Sequence, residues 1–138
     1  MAIFEDISKA LIGILADNDF NMPVVYENEA AESVKKGGEF LEMFELPAFT
    51  EQSSLGDKGC DYHEGILQID INMKAYEGTA ALKKKADEIN AIIKSGATFT
   101  NNSQNVRIGN VSIERVTISD GLATLPMSIE YWAYTERV

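Results

Sequence analysis

Cys60, Asp61 and His63 bring a nucleophile, an acid and a base together, and they use the one cysteine and the one histidine of the chain. A thiol activated by an imidazole is the working pair of many hydrolases. The spacing speaks against that use. On a strand, residues 60 and 63 project from opposite faces, and on a mobile loop nothing would hold their geometry. Two ordinary residues near the end of a hairpin account for them as well. Asp57, Asp61, His63 and Glu64 raise the question of a metal, but their spacing fits neither a calcium loop nor a zinc site. A weak cation site at the surface is the most they would form. No Gly-x-Gly-x-x-Gly or Walker pattern occurs, so a nucleotide site has no support. Glu27, Glu29 and Glu32 read as solvated acids rather than a catalytic pair. The expectation is a protein with no catalytic residues, no cofactor and no metal centre.

Length and composition set the frame. The 138 residues make one domain, residues 1–138, large enough to bury a core without metal or disulfides. A single cysteine precludes an internal disulfide and suits a reducing compartment. The start, Met-Ala-Ile-Phe-Glu-Asp, lacks the basic residues and apolar run of a signal peptide, and no stretch is apolar enough to span a membrane. A cytoplasmic protein with no membrane partner is expected. Net charge is −10 and is unevenly placed: residues 1–64 hold 14 acidic and 4 basic side chains, residues 65–138 hold 8 of each. Solubility explains this; so does a polarised surface meeting a basic partner or lining a space shared with DNA. Direct binding of nucleic acid is disfavoured, because phosphate affinity needs clustered Lys and Arg. The Lys83–Lys85 run reads as a solvated helix face or a partner for acidic patches on a neighbouring subunit.

The elements that must position these groups centre on residues 39–74. Leu67, Ile69, Ile71 and Met73 alternate with Gln68, Asp70 and Asn72, the period of a strand with one buried face. Residues 39–49 form a second strand, with Phe44, Leu46, Ala48 and Phe49 making it apolar on both faces. The two are joined by a long polar connection, Thr50–Glu64, with a turn signal at residues 56–59. Counting outward from that turn sets Phe40 and Lys74 at nearly equal distances, so the stretch folds as one long hairpin reaching outward. Ile3, Phe4, Ile7, Ala10, Leu11, Ile14 and Leu15 predict an amphipathic helix over 2–17, with Glu5 and Asp6 at its positive end. Val24–Tyr26 is a short strand. Leu82, Ala86, Ile89 and Ile93 mark a second helix over 79–94, with Thr79 as N-cap. Residues 98–105 read as a polar connection. Val106–Ile118 is a strand region that Gly109–Asn110 bends or bulges, followed by an Asp120–Gly121 hairpin turn and a last strand to Tyr134. Pro126 places that last strand at an edge or at a bulge. In it Tyr131 faces the core, which turns Trp132 and Tyr134 outward; exposed aromatics of this kind anchor interfaces or cover a second layer. The order predicts an α+β fold: an antiparallel, possibly mixed, β-sheet with two amphipathic helices packed on one face and a long projecting β-hairpin.

Several segments together resemble one family. They are Val24-Val-Tyr-Glu-Asn28 with Lys36-Gly-Gly38, then Leu46-Pro-Ala-Phe-Thr-Glu-Gln-Ser-Ser-Leu-Gly56, then Tyr62-His-Glu-Gly-Ile-Leu-Gln-Ile-Asp70, then Val106-Arg-Ile-Gly109 and Met127-Ser-Ile-Glu-Tyr131. In order and pattern the chain is similar to the small tail terminators of long-tailed bacteriophages and prophages. The resemblance spans almost the whole chain; Cys60-Asp61 and the Lys83–Lys85 run are not features it would include. It implies a virion structural protein of the tail–neck region, assembled in the host cytoplasm. Such proteins form a homo-hexameric ring on the head-proximal end of the tail tube, stop its polymerisation and present a surface to the head–tail connector. DNA passes through the pore without sequence-specific binding. On that reading Thr50, Glu51, Gln52, Leu55, Asp57, Lys58, Trp132 and Tyr134 meet the tail tube protein or the adjacent subunit. Glu27, Glu29 and Glu32 line the pore or one ring face. The rival readings are another tail or neck component, a ligand-binding or hydrolytic domain with a concave polar pocket, and a fragment of a toxin or secretion machine.

Overall fold

Cys60–Lys74 (β3) is flanked along its length by two other strands. In the computed structural model, which describes residues 3–18, 20–27 and 38–137, it pairs with Phe40–Gln52 (β2) on one side and Leu122–Glu136 (β7) on the other, both antiparallel. Val24–Tyr26 (β1) runs parallel to β2, making the sheet mixed. Gln104–Ile113 (β5) lies against β7, and Thr98–Asn101 (β4) against β5. The order is β1-β2-β3-β7-β5-β4, with Thr117–Ser119 (β6) also pairing β7. Two helices, Ile3–Asp17 (α1) and Ala80–Ile92 (α2), complete an α+β chain. No helix among the described residues is long and apolar enough to cross a membrane.

Strand parity explains the core. Leu67, Ile69 and Ile71 of β3 and Leu125, Met127 and Ile129 of β7 are fully or almost fully buried on one face. Each such side chain contributes about 1.5–3 kcal/mol of burial. Ile7, Leu11, Ile14 and Leu15 of α1 and Leu82, Ala86 and Ile89 of α2 join the same cluster. α1 touches β4 and β5, and α2 touches β3 and β7. Phe4 departs from the expected stripe: it is 70% exposed, and its ring edge meets His63 at 5.6 Å. Asp6 ties the start of α1 to the β4–β5 turn, accepting hydrogen bonds from Asn101 at 3.2 Å and Asn102 at 3.1 Å.

Four expectations are corrected by the pairing. The supposed long connection between β2 and β3 is mostly strand, and the turn is only residues 53–59; Phe40 consequently pairs with Asn72 rather than Lys74. Residues 98–105 form a β-hairpin rather than a polar link, closed by Asn102 and Ser103, both at positive φ as a type I′ turn requires. Val106–Ile118 is two strands, with a register shift between Ile108 and Val111 where Gly109–Asn110 bulges. Pro126 sits in an interior strand. Its carbonyl accepts from Glu114 N–H at 2.9 Å, so its nitrogen points the same way, toward residues 114–116 where the neighbouring strand is interrupted. The missing donor therefore costs no ladder bond. Thr79 occupies the N-cap of α2, but its hydroxyl makes no capping bond; its carbonyl accepts from Lys83. Asp120 and Gly121, both at positive φ, form the expected tight turn between β6 and β7.

Candidate functional site

Past residue 46 the β2–β3–β7 layer continues without β1, which pairs only with Leu41–Met43. Two features shape this end. The first is a β-bulge at Ala48: Pro47 pairs with Gly65, but Phe49 pairs with Glu64. A bulge adds one residue and turns the side chains after it to the other face. Phe44, Leu46 and Phe49 thus share the face of Gln68, Ile66 and Glu64, the face away from the core cluster. The strand is apolar on both faces, as expected: Leu41 and Met43 face the core cluster, while Phe44, Leu46 and Phe49 face the other way. The second feature is Gly65. Tyr131 lies directly opposite it, and the Tyr131 hydroxyl reaches across to Glu45 Oε1 at 3.3 Å. A Cβ at Gly65 would strike the Tyr131 ring and the Leu46 carbonyl. The glycine is the slot through which one side chain ties all three strands.

On the core-side face the polar groups are bonded to one another. His63 is buried; Nδ1 lies 2.8 Å from Thr50 Oγ1 and Nε2 lies 2.7 Å from Thr135 Oγ1. Burial pushes its pKa below the ordinary value, and Asp61 opposes that only in part. Glu45 accepts from Ser8 Oγ at 2.5 Å as well as from Tyr131. Burial first, then the Glu45 charge, raises the Tyr131 phenol. Glu27 accepts the backbone N–H of Glu45. Cys60 and His63 stand at opposite strand parity, and both imidazole nitrogens are engaged by hydroxyls. Asp61 is ion-paired to Arg137 at 2.5 Å. These contacts are those of a structural network.

The opposite face carries an aromatic cluster that nothing among the described residues covers. Tyr62 is central: its ring centroid lies 5.3 Å from Tyr134, 6.3 Å from Trp132 and 6.0 Å from Phe49. Trp132 meets Tyr134 edge-on at 5.6 Å, and the Arg107 guanidinium lies 5.3 Å from the Trp132 ring centre. Tyr62 donates to Glu64 at 2.9 Å; burial and that bond push its pKa up to about 12. Leu46 and Phe49 extend the patch, 47% and 45% exposed, and Tyr134 is 54% exposed. By register Glu51, Glu64, Glu130 and Glu136 share this face.

Of the residues singled out from sequence, Glu51, Trp132 and Tyr134 come together around Tyr62. Leu55, Asp57 and Lys58 lie in the exposed turn, with Leu55 at 92% exposure, and Gln52 closes β2 beside it. Thr50 is not with them: its hydroxyl faces the core side and holds His63. Glu27 is turned onto β2, and Glu29 and Glu32 lie outside the described residues. Sequence reasoning missed Tyr62, Arg107 and Arg137. The parity of Tyr62 with Gln68 and Asp70 was the available signal for the first; nothing local marks the two arginines.

The model of a family described as phage tail terminator protein matches residues 6–131. No curated protein matches the chain. One solved chain of unstated function is 22% identical at a TM-score of 0.71, with 92% of each chain covered. A chain from a structure described as the virion of native gene transfer agent (GTA) particle is 13% identical at a TM-score of 0.63, covering 97% of this chain and 98% of that one. At those identities the two structures show a shared fold.

Proposed function

The chain belongs to the phage tail terminator family and is a structural protein of the phage tail, and on that footing we propose that it closes into a ring on the head-proximal end of the tail tube and ends tube growth there. The observation that carries this reading is an exposed turn set beside an aromatic face, on a chain in which buried His63 and Asp6 are held by neutral hydroxyls and amides. A closed ring needs two different patches on each subunit. The face of Leu46, Phe49, Tyr62, Trp132 and Tyr134 is one of them, meeting the adjacent subunit, with Glu51 and Gln52 at its edge; aromatic anchors of this kind dominate interface energy. The tip, with Leu55, Asp57 and Lys58, meets the tail tube protein. Thr50 contributes by holding His63 and the strand pair beneath.

The ring is a homo-hexamer whose far face meets the head–tail connector in the tail–neck region, assembled in the host cytoplasm. Glu27, Glu29 and Glu32 line the pore or one ring face. The net charge of −10 favours DNA sliding through over DNA sticking, because phosphates bind clustered cations.

Two experiments test the proposal. Solution mass and negative-stain images of the protein alone at high concentration should show a closed ring with a pore wide enough for duplex DNA; stacks of indefinite length would make it a tube protein instead. Deletion of Ser53–Gly59 should leave the fold intact and release control of tail length. Tails of normal length from that deletion would refute the assignment of the tip.

A further inference from the structure

Arg137 follows β7 and reaches back over the turn that joins β2 to β3. Its backbone N–H donates to the Gly59 carbonyl at 2.8 Å. Its guanidinium then spends all three nitrogens on the same turn. Nε donates to Gly56 O at 3.1 Å. Nη1 donates to Cys60 O at 2.8 Å and to Asp61 Oδ1 at 2.5 Å. Nη2 donates to Ser54 O at 2.7 Å and to Gly56 O. The turn closes round this cation with its own bonds: Ser53 Oγ donates to Cys60 O at 2.9 Å, and Cys60 N–H donates to Ser54 Oγ at 2.7 Å. A Cβ at Gly59 would run into the guanidinium, the Ser54 hydroxyl and the Leu55 carbonyl. The arrangement is thus a planar fork seated in backbone carbonyls, a geometry that the single ammonium of lysine does not reproduce. Out of this anchored backbone Leu55 points into solvent.

We propose that Arg137 is a positioning residue that sets the Ser53–Gly59 turn in its docking conformation before any partner arrives, so that Leu55 is presented preformed. The inference rests on the reading of this turn as the docking element. Residues ordered only on contact weaken binding by the freedom they lose, and a preset turn has lost it already.

The test compares the intact protein with Arg137→Lys and Arg137→Ala. In hydrogen exchange, the amides of Ser53, Ser54 and Cys60 should exchange about tenfold faster or more in both variants, as expected for losing several charge-assisted bonds, while those of Leu67–Ile71 stay protected. Unchanged exchange at the turn would overturn the latch, and full protection in Arg137→Lys would overturn the argument from the guanidinium fork. Added to polymerising tail tube subunits, both variants should need about tenfold more protein for half-maximal capping, yet cap fully at saturation. An unchanged dose would overturn the positioning role even where exchange has risen. Failure of the wild-type protein to cap would fall on the proposed function, and the docking role with it; the exchange comparison decides the latch alone.

Discussion

Gly65→Ala is the substitution whose effect the geometry specifies most closely. The added Cβ would lie 2.5 Å from the Tyr131 hydroxyl, 2.6 Å from Cζ and 2.9 Å from the Leu46 carbonyl. Ordinary contact begins near 3.4 Å, so the ring must move by roughly an ångström within a packed layer, where overpacking costs about 1–3 kcal/mol. Moving it also breaks the 3.3 Å bond to Glu45, a loss of about 1 kcal/mol. Alanine in a strand returns about 0.5–1 kcal/mol relative to glycine. The net is a destabilisation of about 2 kcal/mol, or a fall in Tm of roughly 6–10 °C for a domain of this size. Urea unfolding read by far-UV circular dichroism measures it. Tyr131→Ala alone should cost about 3–5 kcal/mol. The double variant should cost about 2 kcal/mol less than the sum, because the ring that the new methyl group would strike is gone and its bond to Glu45 is lost only once. A Gly65→Ala protein as stable as wild type, or strict additivity in the cycle, would refute the account of Gly65 as a slot for Tyr131.

Three further outcomes follow from the same contacts. Burial depresses the His63 pKa below its ordinary 6.5, so the unfolded chain binds the proton more readily; His63 contributes stability above pH 6.5 that is lost as pH falls through that region, and His63→Gln should flatten that part of a stability–pH curve. Asp70 behaves oppositely: burial raises its pKa against a 2.9 Å bond from Gln68, the folded state holds the proton better, and stability falls as pH rises through its titration. Asp70→Asn should therefore raise Tm at pH 7 and leave it unchanged in acid, where thermal melts at both pH values make the comparison. Trp132, the one tryptophan of the chain, sits in the aromatic cluster; Trp132→Ala should weaken subunit association about 30-fold or more by sedimentation, while the wild-type emission shifts to the blue on assembly.

Local pattern carried the helices and the central strands. The α1 stripe of Ile7, Leu11, Ile14 and Leu15 and the alternation of Leu67, Ile69 and Ile71 are readable because burial imposes their periods directly. Asp120–Gly121 is readable because positive φ selects those residue types. What escaped reading depends on pairing across the chain. The bulge at Ala48 decides which face Phe49 joins, yet only its partner Glu64 reveals the shift. Pro126 tolerates an interior strand because of a gap in another strand. Thr98–Asn101 is too short for its alternation to stand out, and its turn lacks the glycine that advertises a type I′ hairpin. Arg137 has its partners about eighty residues back along the chain, so no window around it shows a latch. For the same reason the candidate surface was half legible: Trp132 and Tyr134 announced themselves, and Tyr62, which joins them, did not.

The most direct test of the central claim is to add the purified protein to its polymerising tail tube subunits and measure tube lengths and ends by negative-stain microscopy. A terminator predicts short tubes whose growth has stopped at one end only, with one ring of extra density there. Tubes that lengthen from both ends at the rate seen without the protein would contradict the account.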